Sequence, residues 1–195
     1  MEPLIMNKHF IKMAALAVVC CTPAWAMAIT LESAQTHGGT VATNFSGTSL
    51  VSFDIDFANL APVVLAFRVD AGDMAAPIAL SSMLRNFTGN GFSGFQLSLN
   101  QGSFATIGSV TPQFGGTAIV NAAGGNASIN FSGLEFLDVE VGDVFGTPGR
   151  SNWTLGSLAA GDRFTLTVSA VPEPGTYALL LAGLAAVGFV ARRRR

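Results

Sequence analysis

The chain is poor in the residues from which most sites are built. Its two cysteines, Cys20 and Cys21, both fall in the first 28 residues, so the stretch 29–170 has none. That stretch is therefore no disulfide scaffold, and it has no Cys/His set for a zinc centre. It has one histidine, His37, beside Gly38-Gly39, and no lysine. A Ser-His-Asp triad would depend on His37, and no Gly-x-Ser-x-Gly elbow is present. The expectation is a solvated loop histidine, no catalysis and no cofactor. Positive charge is scarce as well. Four arginines (Arg68, Arg85, Arg150, Arg163) face ten carboxylates, a net −6 for 29–170. The whole-chain value of −2 hides this, because Lys8, Lys12 and Arg192 to Arg195 lie at the two ends. An acidic stretch without a basic patch argues against nucleic acid or an anionic lipid surface as an electrostatic partner.

What the stretch does have is phenylalanine and alternation. Thirteen phenylalanines lie between Phe45 and Phe164. Val51, Phe53, Ile55 and Phe57 alternate with Ser52, Asp54 and Asp56. Phe95, Leu97 and Leu99 alternate with Gln96 and Ser98, and Phe164, Leu166 and Val168 with Thr165, Thr167 and Ser169. Period 2 with one polar face marks strands buried on one side, usually antiparallel. Further strands are expected at 62–69, 104–110, 117–121, 127–131, 134–141 and 153–155, separated by Gly- and Asn-rich turns. Pro77 to Phe87 is ambiguous and reads equally as one short helix. Eight or nine such strands in about 140 residues predict one all-β domain, an antiparallel, jelly-roll-like β-sandwich.

A four-residue pattern recurs at Asn44-Phe45-Ser46-Gly47, Asn86-Phe87-Thr88-Gly89 and Asn130-Phe131-Ser132-Gly133. It reads as reused turn chemistry. Asn bonds local backbone, Gly takes positive φ, and Phe anchors the turn in the core.

Two sets of residues are candidates for ligands. Asp54 and Asp56 share one strand face, about 6.5 Å apart, while Asp138, Glu140 and Asp143 cluster at or beyond the end of another strand. Oxygen clusters of this kind suit calcium, but the spacing matches no EF-hand or calcium repeat, and a solvated acidic face is the plainer reading. Trp153, the only tryptophan of 29–170, is either a core residue or a platform for a sugar ring.

The ends carry the clearest signals. Lys8 and Lys12 precede an apolar run, Met13 to Cys21, and two small-x-small sites, Ala24-Trp25-Ala26 and Ala26-Met27-Ala28. This reads as a secretory signal peptide over 1–28, cut after Ala26 or Ala28. At the other end, Val171-Pro172-Glu173-Pro174 is followed by 15 uncharged residues, 177–191, and then Arg192-Arg193-Arg194-Arg195. Prolines at 172 and 174 favour an extended, stiff and accessible segment. A 15-residue helix spans roughly 22 Å against a hydrocarbon core of about 30 Å, a short transmembrane helix with arginines on the cytoplasmic side.

Pro-Glu-Pro, a short apolar helix and a terminal Arg cluster, in that order over 171–195, resemble the PEP-CTERM sorting signal. The resemblance implies recognition by an exosortase-type transpeptidase and cutting near Pro172-Glu173-Pro174. It also implies a transient stay in the inner membrane of a Gram-negative bacterium that makes exopolysaccharide. The same tail also bears the name of an ice-binding C-terminal domain, but the single Thr165-x-Thr167 pair is a poor basis for ice binding. The combined expectation is a non-enzymatic exported protein of the cell surface, extracellular matrix or biofilm. The alternative is a carbohydrate-binding or adhesive module, calcium-dependent if the acidic strands hold an ion.

Overall fold

The computed structural model describes residues 29–70 and 77–193. The expected signal peptide, with Ala26 and Ala28, lies outside the described residues, as do Arg194 and Arg195. In chain order the strands are β1 (Thr30–Gln35), β2 (Val41–Asn44), β3 (Leu50–Phe57), β4 (Val63–Arg68), β5 (Ile78–Asn86), β6 (Phe92–Leu99) and β7 (Ser103–Thr106). They continue as β8 (Val110–Pro112), β9 (Ala118–Ala123), β10 (Asn126–Glu135), β11 (Asp138–Val141), β12 (Trp153–Gly156) and β13 (Arg163–Pro172), followed by helix α1 (Pro174–Arg193).

The protein is all-β up to α1, in two sheets. One sheet has the order β1-β4-β13-β6-β10-β9, and each neighbouring pair is antiparallel. The second runs β2-β3-β5-β11-β8, with β12 also on β5 and β7 on β12. The alternating apolar residues face inward and meet between the sheets. Phe53 of β3 lies against Phe67 of β4, and Phe57 of β3 against Phe92 and Phe95 of β6, with ring centroids 5.7 to 6.4 Å apart. Such aromatic contacts add to plain area burial.

Two expectations are corrected here. The segment 77–87 is not a helix. It is β5, and its run Ile78-Ala79-Leu80-Ser81-Ser82-Met83-Leu84 lacks alternation because the strand is central and covered on both faces. The second sheet is not purely antiparallel, since β3 and β5 pair in parallel over eight residues, from Leu50↔Ala79 to Phe57↔Asn86. The chain leaves β3, crosses to β4 in the other sheet and returns at β5, which permits the parallel pair. On its other side β5 is shared, with β12 opposite 78–80 and β11 opposite 82–85. The junction needs Gly142, at φ +81°, where a Cβ would come within 2.7 Å of the Leu80 carbonyl.

The recurring tetrapeptide is partly as expected. Asn44 and Asn86 accept bonds from the backbone N–H two residues on, at 3.2 and 3.0 Å. However, Phe45 and Phe87 are exposed rather than anchored, and Asn130-Phe131-Ser132-Gly133 lies inside β10. The Asx turn forms locally without the aromatic, so nothing compels the ring inward.

Candidate functional site

The tail grows directly out of the core. Along β13, Phe164, Leu166, Val168 and Ala170 are buried in alternation. The strand does not stop at 170, because Val171 pairs with Gly94 and Pro172 with Phe92. The Ser93 hydroxyl lies 3.2 Å from the Val171 carbonyl and 3.1 Å from that of Pro172, and donates there. Pro172 has no N–H for the ladder, and the register shifts at that step. Pro172 is buried and Glu173 exposed. Val171 and Pro172 are therefore not the free, accessible peptide that the two prolines suggest. The neighbouring strand β6 holds them in the sheet.

Glu173 is the one residue between β13 and α1. Pro174 opens the helix, where its fixed φ fits and its missing N–H costs nothing. The 20 residues of α1 reach about 30 Å. Leu179, Leu180, Leu181, Leu184 and Phe189 are exposed along it. Among the described residues, no helix is long and apolar enough to cross a membrane.

Residues 170–195 match the PEP-CTERM protein-sorting motif. The PEP-CTERM motif implies export, an exosortase-type processing partner and membrane-associated processing in a Gram-negative bacterium. No curated protein and no solved structure matches the chain. The PEP-CTERM motif thus straddles the fold. Val171 and Pro172 belong to the sheet, Glu173 is a one-residue joint, and Pro174 belongs to the helix.

The other candidate residues are placed differently from a ligand site. Trp153, first residue of β12, is 0% exposed. Its ring meets Phe104 edge-on at 5.6 Å, and Nε1 donates to the Ser109 carbonyl at 3.2 Å. The sugar-platform reading of Trp153 is corrected, since no ring face is open to a ligand.

The five acids do not form one cage, and among the described residues no group of three or more His, Cys, Asp or Glu is placed to hold a metal. Asp54 and Asp56 do share a face of β3, but both are taken by Arg85 of β5, at 2.6 and 2.9 Å. The hydrogen bond to Asp56 is the main cause of the Arg85 pKa being raised, and burial works against it. Asp138 stands opposite Arg85 in the β11–β5 ladder. Burial pushes its carboxyl pKa up, and Arg85 opposes the shift. Glu140 is 0% exposed, ion-paired to Arg150, and accepts from the Val144 N–H at 3.0 Å. Asp143 accepts from the Thr147 N–H at 2.7 Å. These carboxylates hold loops and strands, and calcium has no vacant set of oxygens among them. His37 is exposed in the turn after β1, as expected.

Sequence reasoning missed Ser93, Arg85 and Glu135. Glu135 is almost wholly buried and accepts from the Leu137 and Phe114 N–H groups at 2.8 and 2.9 Å. Only the partners, distant in sequence, reveal these roles. The outer face of the six-stranded sheet was also unremarked. Its cross-strand rows read Thr167, Ser98, Asn126 and Ser169, Gln96, Ser128, Asn121. A depression of about 310 Å³ opens there, lined by Gln96, Ser98, Asn121, Asn126 and Ser128 among others.

Proposed function

We propose that the chain is a non-enzymatic exported protein, held transiently in the inner membrane by α1 and cut in the PEP-CTERM motif. It then joins the cell surface or an exopolysaccharide matrix. The match over 170–195 carries this reading. The uncharged part of α1, 177–191, spans roughly 22 Å, shorter than a hydrocarbon core of about 30 Å, which suits a transient rather than a permanent anchor, and arginines at its C-terminal end suit the cytoplasmic side. The geometry adds a constraint. Cutting at or before Pro172 would require peeling β13 away from β6, whereas Glu173 is exposed and outside both the strand and the helix.

Intact mass measurement on protein from the native host tests this. A species ending after Pro172 and before Tyr177 is expected. The variant Glu173→Ala/Pro174→Ala, which leaves the strand intact, is expected to stay uncut in the membrane fraction. Normal release of that variant would overturn the processing claim.

The contact with polysaccharide is assigned to the outer face of the six-stranded sheet. Hydroxyls and amides without charge suit a neutral glycan, which offers matching donors and acceptors and no charge to pair. Co-sedimentation with the host's exopolysaccharide should weaken several-fold in Gln96→Ala/Asn126→Ala. Unchanged binding would remove this face from the account.

A further inference from the structure

Four exposed apolar side chains of the domain gather in one place. Phe87, Phe114, Phe136 and Leu137 are between 41% and 65% exposed, and all four lie at the end of the sandwich from which α1 departs. The register fixes this placement. Pro172 of β13 pairs with Phe92 of β6, and Phe92 pairs with Glu135 of β10. Phe136 is the next residue, two strand spacings or about 10 Å from the start of α1. Glu135 ties in the Phe114 and Leu137 backbones through its two oxygens. Phe114 and Phe136 pack edge-on at 5.4 Å. Gly91 lets Phe136 lie on the 87–91 turn, since a Cβ there would stand 2.8 Å from the ring.

The segments that carry these side chains, 87–91, 113–117 and 136–137, hold no charged residue. Charge borders the rim at Arg85, with Asp54, Asp56 and Asp138 about it, and the opposite end of the strands holds the ion pairs of Arg68 and Arg163 with Glu32, and of Arg68 with Asp70. A cluster of exposed aromatics, its backbone held by a buried carboxylate and next to the start of a helix with exposed leucines, suits one surface that covers both.

We infer that this rim is a membrane-seating surface: Phe87, Phe114, Phe136 and Leu137 enter the lipid–water interface around the point where α1 goes in. The inference rests on the anchoring of α1 proposed above. Aromatic and leucine side chains partition into that zone, and an apolar face sinks about 5–10 Å into it. The net −6 of residues 29–170 gives no attraction to anionic lipid, so a zwitterionic surface suffices. Seated in this way, the domain presents the Glu173 joint at the membrane surface and leaves the Gln96, Ser98 and Asn126 patch of the sheet uncovered.

The test uses the full chain in phosphatidylcholine vesicles brominated near the headgroup end of the acyl chains. Phe136→Trp and, away from the rim in the 142–152 loop, Phe145→Trp are compared with the parent chain. The added emission of Phe136→Trp is expected to be quenched severalfold more than that of Phe145→Trp. Co-flotation with equal quenching would overturn the rim while leaving the anchor standing. Failure to float would overturn both. Emission from Phe136→Trp that depends on protein concentration but escapes bromine would assign the rim to a second copy, and would also overturn the proposal.

Discussion

Two loop regions of the sandwich solve the same problem with opposite chemistry. Beside the middle of β5, the 142–152 loop is fastened by a buried charge, Glu140, and an arginine that comes back to meet it. At the α1 end, Glu135 is just as deeply placed, but its partners are two backbone N–H groups and no arginine. One carboxylate fastens a loop through a charged partner. The other holds exposed aromatics in place. The difference teaches that burial of an acid says little about its role until its partner is known.

The strongest way to break the comparison is at the charged loop. Arg150→Ala removes the counter-charge of a carboxylate with no access to water. Losing one partner of a buried ion pair costs about 3–5 kcal/mol, most of it from the stranded charge. Urea melts should show that loss. A double variant, Glu140→Gln/Arg150→Met, removes both charges and should recover part of it. If Arg150→Ala were as stable as the parent, Glu140 would not be held as a buried charge.

How much of this was legible beforehand depends on the range of the interaction. Alternation in 51–57, 95–99 and 164–168 placed three strands correctly, because period 2 is written in adjacent residues. β5 escaped because a strand covered on both faces has no alternation. The parallel pairing of β3 with β5 escaped because nothing local encodes a partner 29 residues away. The acids misled for the same reason. Asp54 and Asp56 look like ion ligands until Arg85 is brought beside them. The tail was legible as a motif, yet its first two residues turned out to be sheet, because Ser93 and Phe92 recruit them from a distance. Trp153 was readable as core or platform, and only Phe104 and the Ser109 carbonyl decide between them.

A smaller perturbation sharpens the comparison at the α1 end. Glu135→Gln keeps the shape of the side chain but turns one acceptor into a donor that faces a backbone N–H. One of the two bonds to Phe114 and Leu137 is then lost, at about 1–3 kcal/mol for a buried group left unpaired. Because those bonds fix loops rather than the inter-sheet core, the loss should be local. Hydrogen exchange should speed up at the Phe114 or Leu137 amide, with little change at Val144 or Thr147. Uniform acceleration across both regions would mean that the rim and the 142–152 loop unfold as one unit. A response confined to the rim would mean that its aromatics are held by a separable device, whose purpose lies outside the stability of the core.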